Sequence, residues 1–146
     1  MTHNDSPHHE NPRVKQLRLV VAATDYDEAL AFYRDVLGLP ERAAFQGDGD
    51  ARVTILDAGY ATLEIANPEQ VSMIDDVEAD GTPSARLRLA FEVADSEAVT
   101  AQLAEAGADV IAQARETPWN SMNSRLHAPA DLEITIFQEL GQPKSD

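Results

Sequence analysis

From Gln16 onward the apolar residues first alternate and then recur at helical spacing. Leu17, Leu19 and Val21 alternate with Arg18, Val20 and Ala22, a period of two that predicts a strand with one face on a core. Asp25 stands three residues before Glu28 in the arrangement of a capping box. Tyr26, Ala29, Leu30, Tyr33, Val36 and Leu37 follow at helical spacing as far as Gly38, which suits a left-handed helix end. After Pro40 three strands are predicted at about 42–46, 51–57 and 60–66, the last two joined by a turn at Ala58-Gly59. The first half therefore reads βαβββ.

The same order returns after an acidic stretch, 67–84, that carries Pro68, Gly81 and Pro83 and is expected to be a loop. Leu87, Leu89, Phe91 and Val93 alternate with Arg88, Ala90 and Glu92 as a strand. Asp95 caps a helix bearing Val99, Leu103 and Ala106, and Gly107 ends it. Strands are then expected at about 109–114, 123–127 and 132–138. The capping aspartates Asp25 and Asp95, and the helix-ending Gly38 and Gly107, each stand about 70 residues apart, which marks an internal duplication. The expected organisation is a tail at 1–14, a first module at 15–66, the loop at 67–84, a second module at 85–140 and a tail at 141–146. With no long linker between them, the modules are expected to share an interface.

Composition narrows the function. A chain of 146 residues with 43% hydrophobic and 25% charged positions suffices for one ordinary globular domain. Its 26 acidic residues against 11 Lys and Arg give a formal charge of −15, which repels nucleic acid and favours cationic partners or plain solubility. Absence of cysteine excludes disulfides and thiolate chemistry and suits a reducing cytoplasm. No apolar run is long enough to span a bilayer, and no export signal is expected. Gly47-Asp48-Gly49 is a hairpin turn without the lysine and helix of a phosphate loop. His8-His9 lies in the expected tail and makes a poor metal site.

The stretch from Leu19 through Asp25-Tyr26-Asp27-Glu28 to Phe32-Tyr33-Arg34-Asp35-Val36-Leu37-Gly38-Leu39 resembles the strand, capped helix and Phe-Tyr-x-x-x-Leu-Gly ending of the vicinal oxygen chelate superfamily, which includes glyoxalase I, bleomycin-resistance proteins and extradiol dioxygenases. A second stretch, Thr117-Pro118-Trp119 leading to Ala128-Pro129-Ala130-Asp131-Leu132-Glu133-Ile134, is similar to the family's late segments. Asn120 stands there where glycine is usual, and Ala128 and Asp131 replace the usual aspartate and glycine. The resemblance implies an α+β fold in which two tandem βαβββ modules form half-open curved mixed sheets around a cavity. It also implies a homodimer, because two-module members usually pair and half-open sheets leave edges to cover.

In catalytic members a divalent metal is held by His, Gln or Glu on the first and last strands of each module. The resemblance places those positions at Arg18, Glu64, Arg88 and Thr135. Only Glu64 could bind a metal, since a guanidinium stays protonated and has no lone pair to give. No metal and no cofactor are therefore expected, although Glu64, His127 and Glu133 remain an alternative, unusual ligand set. His127 is otherwise an ordinary strand residue.

Two arginines directed into a cavity need partners, because an unpaired buried charge costs several kcal/mol or more. Either Glu64 answers them in an internal ion-pair network, or one guanidinium is left to grip an acidic group of a ligand. Trp119 either packs or stacks on a planar ligand at the cavity rim. The sequence thus points to a metal-free protein that binds or sequesters a drug-like or aromatic small molecule through Arg18, Glu64, Arg88, Trp119 and Thr135. The alternatives are an enzyme, a lyase, isomerase or dioxygenase with unusual ligands or with Glu64 as general base, and a regulatory module with a vestigial cavity.

Overall fold

A computed structural model describes residues 18–62, 64 and 66–141. The expected tail at 1–14, and residues 142–146 of the expected tail at the other end, lie outside the described residues. Helix α1 begins at Tyr26–Leu30 and continues as a π-helical turn, Ala31–Val36. There follow β1 (Glu41–Gln46), β2 (Arg52–Leu56), α2 (Pro68–Ala79), β3 (Arg88–Glu92), α3 (Ser96–Glu105), β4 (Asp109–Glu116), β5 (Ser121–Ala128) and β6 (Leu132–Glu139). No helix among the described residues is long and apolar enough to cross a membrane.

Side-chain caps start all three helices. Asp25 accepts the Glu28 amide at 3.0 Å, Asn67 that of Gln70 at 2.9 Å and Asp95 that of Ala98 at 3.1 Å, each satisfying an amide that has no partner within its helix. Gly38 and Gly107 close α1 and α3 at φ of +90° and +112°, conformations that side chains rarely adopt.

The second half forms a four-stranded sheet in the order β3-β6-β5-β4, with β3 parallel to β6 and the other pairs antiparallel. Because side chains alternate, each strand offers one set of residues to either face. One face carries Leu126, Ile134 and Ile136, which pack with Leu103 of α3 and with Phe32 and Tyr33 of α1 into a single core. The halves are therefore joined by shared burial. Tyr33 adds a specific link, its hydroxyl donating at 2.9 Å to the carbonyl of Pro129 in the β5–β6 hairpin. Burial pushes that phenol above its ordinary pKa.

The first half departs from the expected βαβββ order. Residues 18–22 form no strand, Leu17 lies outside the described residues, and Val20 is 86% exposed. The stretch expected as a strand at 60–66 is likewise irregular at 60–62, 64 and 66. Among the described residues of that half the strands are those of the β1–β2 hairpin, tied to α1 by a Tyr26–Thr54 hydrogen bond and by Arg52, whose guanidinium lies 4.3 Å from the Tyr26 ring centre. Alternation alone makes a strand only when a neighbouring ladder takes up its amides and carbonyls.

The stretch 67–84 is also corrected. It contains α2, a helix of 12 residues with Pro68 in its first turn. Proline there forfeits only an amide that would have no partner, so the residue that suggested a loop helps to begin a helix.

Candidate ligand-binding face

The sheet face opposite α3 is polar. Arg88 of β3, Glu133 and Thr135 of β6, and Ser121, Asn123 and Arg125 of β5 point to it by strand alternation and register. Helix α2 lies across this face, and its buried residues are Asp75, Glu78 and Ala79.

Arg125 is the centre of the arrangement and is 0% exposed. Its Nη1 donates to Asp75 at 2.8 Å and to the Thr82 carbonyl at 3.3 Å, its Nη2 and Nε to Glu78 Oε1 at 2.8 and 3.2 Å, and Glu133 lies 3.6 Å from Nε. Glu78 Oε1 also accepts from Thr135 at 3.1 Å and lies 3.8 Å from Arg88, which itself donates to Thr135 at 2.8 Å. A chain of hydroxyl and amide groups reaches the other carboxylate oxygen. Thr117 bonds Ser121 at 2.8 Å, Ser121 donates to Asn123 at 2.6 Å, and Asn123 donates to Glu78 Oε2 at 2.6 Å.

Burial alone would raise the Asp75 carboxyl, but the hydrogen bonds from Arg125 and Ser84 outweigh it and hold the group below its ordinary range. For Arg125 burial opposes the charge, and the bonds to Asp75 and Glu78 reverse that and raise its pKa. Two guanidiniums thus face three carboxylates.

The structure brings Arg88 and Thr135 together and supplies Glu78, not Glu64, as their acidic partner. Glu64 is exposed and lines an open concavity with Ala66, Asn67 and Gln70, so the expectation that it answers the arginines is corrected. Its place in the irregular stretch before α2 explains the change: among the described residues no third strand of the first half carries it to the sheet. Arg18 is exposed in the segment before α1. Residues 19–22 of that segment line an apolar cleft of about 220 Å³ with Leu87, Leu89, Ala130 and Leu132. Trp119 is 41% exposed at the tip of the β4–β5 hairpin, where Asn120 adopts φ of +66°. Asparagine tolerates that conformation better than most residues, so it can stand where glycine is usual.

These donors do not fit a divalent metal. A cation at the expected position would meet Arg88 and Arg125, whose nitrogens offer hydrogens and no lone pairs. His127 is exposed and bonds Asp131 at 2.8 Å, while Glu133 accepts the Ala85 amide at 3.0 Å, so the alternative set with Glu64 is not assembled. Among the described residues no group of three or more His, Asp or Glu could hold a metal ion. What this face holds is the chain's own carboxylates, Asp75 and Glu78, through charge-assisted hydrogen bonds from Arg125.

Arg125, Asp75, Glu78 and Asn123 were not anticipated from sequence. Arg125 was legible as the alternation partner of Asn123 and His127 on β5, and the two acids as helix neighbours once Asn67-Pro68 is taken as a helix start.

The family model of a glyoxalase-like domain matches residues 18–137. Among solved structures, an antibiotic-binding protein from a Streptomyces species is 23% identical with a TM-score of 0.57, the match covering 88% of this chain and 99% of that one. A member of the glyoxalase/bleomycin resistance protein/dioxygenase superfamily from Sphaerobacter thermophilus is 18% identical, TM-score 0.53, covering 82% and 92%. A protein of unknown function from Agrobacterium tumefaciens is 20% identical, TM-score 0.53, covering 88% and 98%. No curated protein matches the sequence.

Proposed function

Because the chain belongs to the glyoxalase-like domain family, we propose that it binds a small molecule and holds it without chelating a metal. The observation that carries this reading is the pair of guanidiniums, Arg88 and Arg125, on the face where catalytic relatives would need metal ligands. The fold is shared with a protein described as antibiotic-binding, which supports a binding role for this architecture. In this reading Arg88 and Thr135 contact polar groups of the ligand, Trp119 offers an aromatic face at the rim, and Arg18 and Glu64 flank the approach. The working form is a homodimer in a reducing cytoplasm, in keeping with the open sheet edges and the lack of cysteine.

Equilibrium dialysis of the full chain against bleomycin-like glycopeptides and small aromatic acids tests the proposal, with Trp119 fluorescence as a second readout. Retention of one class at micromolar concentration is expected, together with thermal melting that is indifferent to nickel, zinc, manganese and ferrous iron. Retention of neither class, or a stoichiometric metal that raises the melting temperature, would overturn it.

A further inference from the structure

The fully buried contacts of α2 with the sheet are mostly charged. Its buried residues are two carboxylates and one alanine, Ile74 and Val77 are half-buried, and Val71 and Met73 are exposed. Helix α3, by contrast, sets Leu103 into the apolar core. The described chain on either side of α2 belongs to no strand or helix, at 57–62, 64, 66–67 and 80–87, and it leaves the helix through Asp80 and Gly81, both at positive φ.

The contacts that seat α2 are ones a free carboxylate makes equally well. Asp75 takes one terminal nitrogen of Arg125, and Glu78 takes the other with Nε and approaches Arg88. If another molecule supplied those oxygens, Asp75 and Glu78 would return to water, so the exchange is like for like and the desolvation cost is nearly shared. Lifting α2 also reverses the local charge, from two guanidiniums facing three carboxylates to two facing Glu133 alone. A neutral ligand offers acceptors but no negative charge to replace what Arg125 would lose.

We propose that α2 is a displaceable plug, and that Asp75 and Glu78 occupy, in the ligand-free chain, the seat on Arg125 and Arg88 that a small dicarboxylate takes. This rests on the binding role proposed above and names the ligand class for that face. A monocarboxylate replaces one incumbent and leaves the other holding the helix, so two acidic groups on one molecule are required.

The test is hydrogen exchange at the α2 amides of the full chain, titrated with glutarate and, in separate arms, acetate and inorganic phosphate, with affinities from equilibrium dialysis. Glutarate is expected to speed exchange across residues 71–79 and acetate to leave it unchanged. The isosteric double variant Asp75→Asn/Glu78→Gln, checked for native circular dichroism, should bind glutarate about a hundredfold more tightly, as when a seat competent roughly a hundredth of the time is freed. Arg88→Met should weaken glutarate in both backgrounds. Unchanged α2 protection at saturating glutarate, or no gain in the double variant, would make α2 a fixed part of the fold and overturn the plug. Release by phosphate but not glutarate would overturn the dicarboxylate assignment. A glycopeptide or aromatic acid that binds while α2 stays protected would keep the binding role and refute the plug. Release by glutarate with no retention from the dialysis panel would keep the plug and refute the glycopeptide and aromatic ligand classes.

Discussion

Replacing Arg125 by Met removes the cation on which the polar face is organised while keeping a side chain of similar length. The wild-type guanidinium is wholly buried and serves Asp75, Glu78 and the Thr82 carbonyl at 2.8–3.3 Å, with Glu133 at 3.6 Å. Its loss leaves three carboxylates around an apolar thioether, with Arg88 at 3.8 Å from Glu78 as the remaining cation. Breaking a buried pair from one side costs about 3–5 kcal/mol. Against a total stability of about 5–15 kcal/mol for a domain, that is a large fraction. The assay is urea unfolding followed by circular dichroism, with thermal melting expected to fall by roughly 6–20 °C. If α2 detaches instead of tolerating the uncompensated charge, the native state already exposes more surface and the urea m-value falls as well. Adding Asp75→Asn and Glu78→Gln to Arg125→Met removes the repulsion and should restore about 2 kcal/mol or more. A loss below about 1 kcal/mol in the single variant, or no recovery in the triple, would show that these carboxylates are not buried against Arg125 and refute the account of the site.

Further outcomes follow from other contacts. Ala130 sits at φ of +67° in the β5–β6 hairpin, so Ala130→Gly should raise stability by about 0.5–1 kcal/mol with an unchanged urea m-value. Tyr33→Phe leaves the Pro129 carbonyl without its donor and should cost about 1 kcal/mol by the same assay. Asp75 is held below its ordinary pKa, so its contribution to α2 docking is complete above about pH 4, the unfolded value, and is lost as pH falls through the lower folded value. The protection factors of the α2 amides, taken against the intrinsic exchange rate at each pH, should accordingly fall on acidification below that point and stay flat between neutrality and about pH 5.

The second half was largely legible because its local signals and its tertiary partners agree. Asp95 caps α3, Gly107 ends it, and the alternation through Leu87–Val93 and 132–138 finds a ladder in β3 and β6. The first half carries equally clear alternation at 17–22 and 60–66, yet periodicity specifies which face is apolar and not whether a neighbouring strand is there to pair. Of the four site positions that the resemblance implies, Arg88 and Thr135 are hydrogen-bonded to each other at 2.8 Å. Glu78 is not legible as a partner of Arg88 while Pro68 reads as loop, because the helix that brings Glu78 to the sheet begins at that proline. Arg125 escaped notice for a different reason. A lone arginine in a strand looks exposed until three carboxylates from α2 and β6 are seen to converge on it, and that convergence is a property of the tertiary fold.

The order of the chain gives α2 a particular history. Every sheet residue that receives its buried carboxylates lies on β5 or β6, beginning some fifty residues downstream, or on β3 in a sheet that those strands complete. During synthesis α2 therefore emerges before its seat exists and must wait roughly 3–10 s at ordinary elongation rates for Arg125 to be added. The antiparallel β4–β5–β6 run pairs residues close in sequence and can form without it, whereas the Arg125 contacts to Asp75 and Glu78 close loops of about fifty residues. The helix that precedes its sheet in the chain is thus among the last to settle.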